Sequence, residues 1–507
     1  MIRKASVTGG VVLGIPAADP RITAFKGIPF AAPPVGENRW RAPQPVIPWE
    51  GERPCFTFAP ISMQHIPGLD KDNIYSREWN VDTSIPMSED CLYLNVWTGA
   101  ETPDARLPVL VWFFGGGLRE GNTAEMEFDG ERIARRGVVV VTVNYRLAAF
   151  GFLAHPELTA QQPDAPGNFG HLDQLAGIRW AKENIAAFGG DPDNITIGGQ
   201  SAGGGSVCAL LTSPLTKGLF QKAMIFSGVT AGVYPNPIRN PHPFSEDEAT
   251  GVRFFEFLGV KTLAEARALD AVYIRDKCNE FERPHTFTFA TGTDGVFQTG
   301  NATDNLLAGR YHHMPLLITR TSSEFNFELP AGNMDEFRTR AHALFGSRAG
   351  EFLSLCGDEF AAAKAASGVC VVETAALTMA RQTQALGIPD AVYYGIFDPS
   401  IPGWDDPGTF HSSDLWFWFE TLAKCWRPFK GFHYDLARQM CNYMSNFIRS
   451  GDPNGPDHDG VPMPRWERAL GDSPAAMWFR DGGCVPQLTQ PAAVQRLVVD
   501  AGIDALK

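Results

Sequence analysis

The sequence lacks any uninterrupted run of about eighteen apolar residues, the length at which a segment becomes a candidate membrane-spanning helix. Its first ten residues, MIRKASVTGG, include basic side chains, but no apolar segment follows them. The start therefore does not resemble a secretory signal peptide. We expect a protein without a membrane span that is located in the cytoplasm.

Segments rich in Lys or Arg are also missing. The formal net charge is −14, and no basic run could follow the phosphate backbone of a nucleic acid or an anionic membrane surface. We therefore expect no nucleic-acid partner. The negative charge is typical of a well-hydrated surface, and at long range it disfavours anionic substrates.

Cysteines with paired C-x-x-C spacing are absent, and the nine cysteines of the chain are odd in number. This pattern argues against a zinc site and against a disulfide framework. Reduced thiols in a cytoplasm fit it better. We expect neither a metal ion nor another cofactor. The cysteines are Cys55, Cys91, Cys208, Cys278, Cys356, Cys370, Cys425, Cys441 and Cys484.

Hydrophobic residues make up 44% of the 507-residue chain and charged residues 20%, an ordinary balance for a folded protein with a large core. Short β-rich runs alternate with segments of helical period, which indicates βαβ units and a mostly parallel sheet. Residues 107–114 (LPVLVWFF) and 138–144 (VVVVTVN) are continuous apolar runs. They are predicted to be buried strands at the centre of that sheet, and the fold class is α/β.

The stretch IGGQSAGGGS, residues 197–206, places Ser201 between glycines two positions away on either side. A helix is predicted over 173–188, GGDPDN ends it, and ITIGG follows as a strand. After the serine, residues 206–214 (SVCALLTSP) suit a helix and 223–227 (AMIFS) begin another strand. Ser201 is thus predicted between the end of a strand and the start of a helix, the position of a nucleophile elbow.

Two interpretations of this stretch compete: a strained turn that exposes a nucleophile, and a flexible glycine-rich loop. A sharp strand-to-helix turn forces Ser201 into rare backbone angles, and side chains at Gly199 and Gly203 would collide with the adjoining strand and helix. The start of the helix offers backbone N–H groups to a developing oxyanion. A flexible loop explains none of these placements, so we favour the nucleophile.

Acyl transfer needs further oxyanion donors, and WFFGGGLREG, residues 112–121, provides three consecutive glycines after a predicted strand. Glycines at these positions would let backbone N–H groups approach a substrate closely. A tight turn that only ends the strand is the alternative.

A serine hydroxyl also needs a histidine to take its proton and a carboxylate to orient that histidine. Eleven histidines compete for this role. His411 stands in a polar loop before an aromatic helix, in GTFHSSDLWFWF, and Glu324 follows the strand-like LLITR and a short polar turn. The order serine, acid, histidine is that of α/β-hydrolases. The residues alone leave the individual acid and histidine open.

Long motifs in one order extend over nearly the whole chain. They are FKGIPFAAPPVGENRW (25–40), SEDCLYLNVW (88–97), WFFGGG, VNYR (143–146), GNFGHLDQLAGIRWAKENIAAFGGDPDNITIGGQSAGG, SSEF and FHSSDLW. With these motifs the sequence resembles the type-B carboxylesterases, a family that includes cholinesterases and bacterial para-nitrobenzyl esterases. Motifs of this length and order do not agree by chance.

The resemblance implies a role for each residue of the candidate site. It implies Ser201 as the nucleophile that forms an acyl-enzyme, Glu324 as the acid of the triad, and His411 as general base and then general acid. It also implies an oxyanion hole made of backbone N–H groups, those of Gly116, Gly117 and Ala202.

The resemblance further implies the architecture. The family fold is a single α/β-hydrolase domain, here residues 1–507, with a twisted, mostly parallel central sheet flanked by helices. A small β-element at the N-terminus and helical insertions at about 60–87, 230–310 and 325–405 would complete it. The insertions would form a gorge above the serine.

Several positions match or depart from the family pattern. Arg39 and Glu89 match a structural ion pair that ties the N-terminal region to the end of the first insertion. Gln200 stands where glutamate is usual, which removes a negative charge beside the nucleophile and disfavours a choline ester. Phe114 stands where histidine or tyrosine is usual, so packing is expected to replace a hydrogen bond that supports the glycine loop.

One cysteine position bears on the compartment. Cys91 corresponds to a cysteine that is disulfide-bonded in secreted relatives, but its expected partner position holds Met63, and Cys55 lies eight residues earlier. We therefore expect Cys91 to be a free, buried thiol.

These features predict a serine carboxylesterase for a small-molecule ester, bacterial and cytoplasmic, that acts as a monomer or homodimer. Two alternatives stay open: a catalytically silent, cholinesterase-like binding protein, and a lactonase, thioesterase or amidase that uses the same triad. The aromatic run 416–419 (WFWF) could line an apolar gorge, but aromatic residues at helical spacing more often belong to the core. We assign no specificity residue to it.

Overall fold

The structure is a computed structural model, and it describes residues 1–65, 73–79, 85–231, 234, 242–282, 288–457 and 460–507. The strands of these residues are short, as expected from the short apolar runs of the sequence. They are β1 (Lys4–Val7), β2 (Gly10–Leu13), β3 (Ile15–Pro16), β4 (Thr23–Pro29), β5 (Glu52–Pro54), β6 (Tyr93–Thr98), β7 (Leu107–Phe113), β8 (Val139–Val143), β9 (Gly190–Gln200), β10 (Lys222–Phe226), β11 (Leu316–Thr321), β12 (Asn326–Phe327), β13 (Val369–Cys370), β14 (Val392–Phe397), β15 (Ala475–Arg480) and β16 (Gly483–Leu488).

Eleven of the described strands form one sheet in the order β16-β15-β14-β11-β10-β9-β7-β8-β6-β4-β3. Every neighbouring pair from β15 to β8 is parallel, and the pairs outside this region are antiparallel. Parallel strands end at the same edge of a sheet, so the loops that follow β7, β9 and β11 meet there. This edge carries the candidate site.

Helices connect the strands and cover the sheet. The α-helices are α1 (Ile74–Glu78), α2 (Glu131–Ala134), α3 (Ala148–Phe152), α4 (Pro156–Gln161), α5 (Phe169–Asn184), α6 (Ala202–Thr212), α7 (Phe244–Leu258), α8 (Leu263–Ala268), α9 (Ala271–Glu282), α10 (Ala302–Leu307), α11 (Met334–Phe345), α12 (Ala349–Cys356), α13 (Phe360–Ala366), α14 (Val371–Ala385), α15 (Leu415–Trp418), α16 (Gly431–Ser450) and α17 (Ala493–Ala505). Short 3-10 turns are found at Gly36–Asn38, Pro103–Ala105, Met126–Phe128, Ile185–Phe188, Pro214–Thr216, Gly346–Arg348 and Leu422–Lys424.

The two apolar runs predicted to be central strands are β7 and β8. Every residue of β8 is buried, and so is every residue of β7 after Leu107. Since successive side chains of a strand point to opposite faces, both faces of the sheet are covered here. Helices α5, α6 and α16 pack against β9, and α5, α6 and α16 also contact β7.

The prediction for the segment GGDPDN was wrong in part. The segment does follow the helix, because α5 ends at Asn184 and one 3-10 turn follows it. However, β9 already begins at Gly190, which pairs with Leu107, and the ladder shifts register before Ile195. The residues between them bulge from the strand, and the Lys182 ammonium donates a hydrogen bond of 2.8 Å to the carbonyl oxygen of Pro192 there.

The expected insertions are partly described. Helix α1 lies in 60–87, α7–α10 lie in 230–310, and α11–α14 lie in 325–405. Residues 66–72 and 80–84 of the first insertion, and 232–233, 235–241 and 283–287 of the second, lie outside the described residues. The third range also contains β14, which pairs with β11 in the central sheet, so only part of 325–405 lies outside the sheet.

The third insertion has a hydrophobic core of its own. Phe337 of α11, Phe352 of α12 and Val498 of α17 are fully buried in this second cluster. Most of the other buried apolar side chains form one large cluster around the sheet. The C-terminal helix thus holds the insertion by packing.

The described helices and the cysteines bear on two further expectations. None of these helices combines the length and the apolar character that crossing a bilayer would require. All nine cysteines are free thiols, and Cys91 is buried as expected. Burial raises the pKa of the Cys91 thiol above its ordinary value, so this thiol is poorly reactive.

The expected ion pair between Arg39 and Glu89 is present and buried. The guanidinium donates from Nε to Glu89 Oε1 at 2.6 Å and from Nη2 to Oε2 at 2.7 Å. Its Nη1 donates to the carbonyl oxygens of Ala266, Arg267 and Leu269 at the end of α8. One side chain therefore connects the N-terminal region to both the first and the second insertion.

The substitution Glu89→Ala should lower the free energy of unfolding by about 3–5 kcal/mol, because it leaves the buried Arg39 charge without a counter-ion. Urea denaturation measures this change. Glu52→Ala is the matched control, since Glu52 pairs with Lys4 on the surface, where both side chains are about half exposed. Its effect should stay within about 1 kcal/mol. Equal effects of the two substitutions would contradict the structural role of Arg39.

Candidate active site

The backbone turns sharply at Ser201. Strand β9 ends at Gln200 and α6 begins at Ala202, so one residue makes the connection. Ser201 has φ 53° and ψ −125°, a region that L-residues rarely adopt. Its N–H donates a hydrogen bond of 2.8 Å to the carbonyl oxygen of Phe226 at the end of β10. The strained residue is thereby fixed to the neighbouring strand.

Close backbone contacts explain the glycines around the serine. A β-carbon at Gly199 would lie 2.3 Å from the carbonyl oxygen of Gly203, and one at Gly203 would lie 2.2 Å from that of Phe113. Another at Gly228 would lie 2.4 Å from the α-carbon of Gly204. No side chain fits at such distances, so the glycines are required by the fold. The flexible-loop interpretation does not account for them.

The structure brings the three predicted triad residues together. His411 Nε2 lies 2.8 Å from Ser201 Oγ, and His411 Nδ1 lies 2.8 Å from Glu324 Oε2. The other carboxylate oxygen of Glu324 accepts hydrogen bonds from the N–H and the hydroxyl of Thr321, at 3.3 and 3.1 Å. Only 6% of Glu324 and of His411 is exposed. The arrangement can pass a proton from the serine to the histidine while the carboxylate holds the ring.

The electrostatics of the site favour an ionised acid. Burial alone would raise the pKa of Glu324, but the neighbouring His411 and the hydrogen bonds from His411 and Thr321 outweigh burial and lower it below its ordinary value. Tyr75 of α1 also faces this carboxylate. Burial and then the negative charge of Glu324 raise the pKa of Tyr75 to about 12. Glu324 is therefore a carboxylate at neutral pH and Tyr75 a neutral phenol.

The glycine loop after β7 lies against the serine turn. A β-carbon at Gly115 would lie 3.0 Å from Ser201 Cβ. Gly116 and Gly117 have φ 99° and 66°, and Ala202 is the first residue of α6. Positive φ values suit glycine alone among common residues. The structure therefore places all three predicted oxyanion-hole residues within this loop or directly after the nucleophile.

Contacts around Phe114 hold this loop. The Phe114 ring stacks on Tyr145 with a centroid distance of 4.3 Å, as the packing expectation requires. The Tyr145 hydroxyl also donates a hydrogen bond of 2.7 Å to the Phe114 carbonyl oxygen. At the far end of the loop, Gly121 N–H donates to the side-chain oxygen of Gln64 at 2.8 Å. The loop is thus supported by a hydrogen bond from the Tyr145 hydroxyl to its backbone. Sequence reasoning did not identify Tyr145 for this role.

Aromatic rings stand beside the histidine. The Phe325 ring lies 4.5 Å from the His411 ring, and 38% of Phe325 is exposed. Phe410 contacts the rings of Tyr75 and Trp79 at about 6 Å, with centroid distances of 6.2 and 6.1 Å. Phe410 directly precedes His411 in the chain, so these four side chains form an apolar wall beside the histidine.

The aromatic run 416–419 belongs to the core. All four of its side chains are buried. Trp418 packs on Phe226 at 4.8 Å, and Phe417 packs on Phe397 at 4.8 Å. The run supports the strands below the site and forms no part of the wall beside His411.

Two residues near the histidine were missed. Ser412 has φ 76° and accepts a hydrogen bond of 2.6 Å from the Gln200 amide. Asp414 is fully buried; its Oδ2 accepts from Trp418 Nε1 at 3.0 Å, and its Oδ1 has no hydrogen-bond partner among the described residues. Both lie within three positions of His411 in the motif FHSSDLW, which gives no role to either of them.

Across the described part of the chain, no three His, Cys, Asp or Glu side chains are grouped as ligands of one metal ion would be. The titratable side chains of the site are instead arranged for proton transfer.

Comparisons with known proteins identify relatives of this chain among carboxylesterases. A model of the carboxylesterase family matches residues 3–347. A fumonisin B1 esterase of Sphingopyxis macrogoltabida is 37% identical over 336 residues, which cover 65% of this chain and 58% of that protein. A para-nitrobenzyl esterase of Bacillus subtilis (strain 168) is 37% identical over 309 residues, 59% of either chain. These two alignments span less than two thirds of the relatives' lengths.

Longer matches also exist. Carboxylesterase 1E of Mus musculus is 30% identical over 490 residues, which cover 88% of this chain and 84% of that protein. A solved structure of a PNB esterase superposes with a TM-score of 0.78 at 26% identity and covers 98% of this chain and 100% of its own. A thermophilic PNB esterase gives a TM-score of 0.78 at 25% identity with the same coverage. The likeness to these structures therefore extends over both halves of the chain.

The substitution Gly203→Ala should destabilise the protein strongly, because the new methyl group would lie 2.2 Å from the Phe113 carbonyl oxygen. We expect a loss of about 3 kcal/mol or more in the free energy of unfolding, measured by urea denaturation. Gly205→Ala in the same helix is the control, since its methyl group would lie 3.6 Å from the nearest atom. Alanine favours a helix by about 1 kcal/mol over glycine, so the control should be neutral or stabilising. Equal stability of the two variants would contradict the contact.

The free energy of unfolding should depend on pH through Asp414, because burial raises the pKa of this carboxyl to about 7. In the unfolded chain Asp ionises near its ordinary pKa of about 3.9. Between these values unfolding releases a proton, so the stability of the wild type falls as pH rises from about 4 to about 7; above that range this group causes no further change with pH, and the loss remains.

The substitution Asp414→Asn keeps an acceptor for Trp418 and removes the ionisation. Its free energy of unfolding should fall less steeply between pH 4 and pH 7, by up to about 1.4 kcal/mol per pH unit. Urea denaturation at several pH values compares the slopes. Asp358→Asn, at a side chain that is 97% exposed, should keep the slope of the wild type. Parallel curves for wild type and Asp414→Asn would contradict the assignment.

Proposed function

The chain belongs to the carboxylesterase family and has the α/β-hydrolase fold, and on this basis we propose that it is a serine carboxylesterase acting on carboxylic esters of small molecules. One observation carries the proposal. Two hydrogen-bond distances of 2.8 Å connect Ser201, His411 and Glu324, whose positions in the sequence are far apart. The arrangement strains the backbone at Ser201 and buries the Glu324 carboxylate, and packing of the fold requires neither.

The first half of the reaction forms an acyl-enzyme. His411 Nε2 takes the proton of the Ser201 hydroxyl as its oxygen attacks the ester carbonyl carbon. The carbonyl oxygen becomes an oxyanion that accepts hydrogen bonds from backbone N–H groups, those of Gly116, Gly117 and Ala202. The tetrahedral intermediate then breaks its bond to the alcohol oxygen, and His411 donates the proton to that leaving group.

The second half regenerates the enzyme. His411 takes a proton from a water molecule, whose oxygen attacks the acyl carbon, and the same N–H groups hold the second oxyanion. The bond to Ser201 Oγ breaks, His411 returns the proton to the serine, and a carboxylic acid leaves. Glu324 stays ionised throughout. It holds the Nδ1 proton of His411 and stabilises the imidazolium that forms in each half.

The wall beside His411 supports an apolar or aromatic group on the substrate. Four aromatic rings stand there, those of Phe325, Phe410, Tyr75 and Trp79. The Glu324 carboxylate is already paired with His411, and the Tyr75 phenol is neutral. The absence of a carboxylate at position 200 disfavours a cationic ester. We therefore propose an uncharged ester as substrate.

The setting of the activity is part of the same proposal. We propose that the 507 residues act as one unit, with helical insertions around the site, in a bacterial cytoplasm and as a monomer or homodimer. The nine free thiols support a reducing compartment. Analytical ultracentrifugation of the purified chain distinguishes monomer from dimer.

A second substrate class, thioesters, has specific support. A precursor of a medium-chain fatty acyl-CoA hydrolase from Anas platyrhynchos is 37% identical over 332 residues, which cover 63% of this chain and 56% of that protein. The same triad can attack a thioester carbonyl. A thioester analogue of each ester substrate should therefore be assayed beside it, and lactones and amides complete the panel.

The substitution Ser201→Ala should abolish hydrolysis of para-nitrophenyl acetate and butyrate. Removal of the attacking oxygen is expected to lower kcat by about 10⁴-fold or more, since only oxyanion binding would be left. Release of para-nitrophenol measures the rate. Ser354→Ala, at an exposed serine of α12, is the control and should keep the wild-type rate.

Two results would contradict the proposal. Turnover that survives in the Ser201→Ala variant would mean that another group performs the reaction. A folded wild type that turns over no ester, thioester, lactone or amide of the panel would favour the alternative of a catalytically silent binding protein.

A further inference from the structure

The side chain of Gln200 points at the catalytic histidine. Gln200 directly precedes Ser201, and only 2% of it is exposed. Its amide nitrogen Nε2 donates to Ser412 Oγ at 2.6 Å and lies 3.4 Å from His411 Nε2. Its oxygen Oε1 lies on the side of the glycine loop, where a β-carbon at Gly115 would be 2.8 Å away. The amide thus stands between the glycine loop and the histidine loop.

The partner of this amide is a strained residue. Ser412 has φ 76°, a conformation that residues other than glycine rarely adopt and that persists only where surrounding contacts hold it. Two backbone hydrogen bonds shape the same turn, from Ser413 N–H to the Phe410 oxygen at 2.9 Å and from Leu415 N–H to the Ser412 oxygen at 3.1 Å. The Gln200 amide adds a bond from outside the turn. It therefore fixes the residue that follows His411.

The ionisable groups around His411 are unevenly placed. Glu324, after β11, faces Nδ1, Asp414 of the same loop interacts with His411 through its charge, and Tyr75 of α1 faces Glu324. On the Nε2 side stand the Ser201 hydroxyl and the neutral Gln200 amide. A carboxylate at position 200 would put a negative charge about 3.4 Å from Nε2, which is well within the range where it favours the imidazolium.

We propose that Gln200 is a positioning residue for His411: its hydrogen bond to Ser412 fixes the histidine loop, and its lack of charge leaves Nε2 free to accept the serine proton. The inference rests on the proposed function. A carboxylate at position 200 would stabilise the imidazolium, so at low pH a smaller fraction of His411 would be the neutral ring that can accept the serine proton. Gln200 therefore lets the enzyme work at lower pH than a carboxylate there would.

The test is the pH profile of kcat/KM with para-nitrophenyl butyrate. In Gln200→Glu the midpoint of the acid limb should move up by about one pH unit, because a carboxylate near Nε2 stabilises the protonated ring. Gln200→Met is the matched variant, since methionine is uncharged and of similar length. Its midpoint should stay within about 0.3 pH units of that of the wild type, because no negative charge is added.

The positioning role has its own readout. Gln200→Met and Ser412→Ala should each lower the plateau kcat by about fivefold with KM nearly unchanged, because each removes the same hydrogen bond of 2.6 Å. The double variant should be no slower than the slower single variant, since one bond is lost in all three. Rates are normalised to the fraction of protein that reacts with a fluorophosphonate, so a partly misfolded preparation does not change the comparison.

Two outcomes would overturn the inference. An acid limb of Gln200→Glu that coincides with that of the wild type would mean that the charge at position 200 does not reach the histidine. Effects that multiply in the double variant would mean that Gln200 and Ser412 act separately. If the Ser201→Ala variant is inactive, either of these results leaves the esterase assignment intact. An active Ser201→Ala variant overturns the proposed function itself.

Discussion

The site depends on the approach of two glycine backbones beneath Ser201. Gly199 and Gly203 lie so close to each other and to β7 that a methyl group at either would overlap a backbone oxygen. This contact brings the end of β9 and the start of α6 within one residue of each other, and it forces Ser201 to φ 53°. The strain is maintained because the serine N–H is bonded to β10 and both flanking elements are buried. Placement of the hydroxyl is therefore a consequence of packing in the sheet.

Charge is distributed around the histidine in a way that suits its proposed work. The ionised Glu324 stands on Nδ1, while Asp414 is held toward its neutral form by burial, with a pKa raised to about 7. Among the described residues, the groups hydrogen-bonded to Nε2 are a hydroxyl and an amide. One negative charge therefore orients and stabilises the ring from the Nδ1 side. The hydroxyl and the amide on the other side, where protons are exchanged, are neutral and do not hold the proton as a charge would.

Local signals explain what could be predicted from the sequence. Continuous apolar runs identify β7 and β8 because strands buried on both faces have no polar alternation. The glycines around Ser201 identify the turn because a sharp turn brings Gly199 and Gly203, four residues apart, into close contact. The family resemblance supplied His411 and Glu324, which the residues alone left open among eleven histidines and many carboxylates.

Other features depend on contacts that no local pattern contains. The bulge at the start of β9 is held by Lys182 from the preceding helix, so GGDPDN resembled a simple turn. The Tyr145 hydroxyl that supports the glycine loop lies 31 residues from its acceptor. Arg39 reaches carbonyl groups of α8 that are more than 220 residues away. The amide of Gln200 could be noted as a departure from the family, but its bond to Ser412 becomes apparent only when the two loops meet.

Covalent labelling tests the central claim, that Ser201 is an activated nucleophile, most directly. The protein is incubated with a fluorophosphonate, which transfers its phosphonyl group to an activated serine and releases fluoride, and the adduct is located by peptide mass spectrometry. The account predicts a single adduct, on Ser201, that forms far more slowly in a His411→Gln variant. An unlabelled wild type, or a first adduct on another serine, would contradict it.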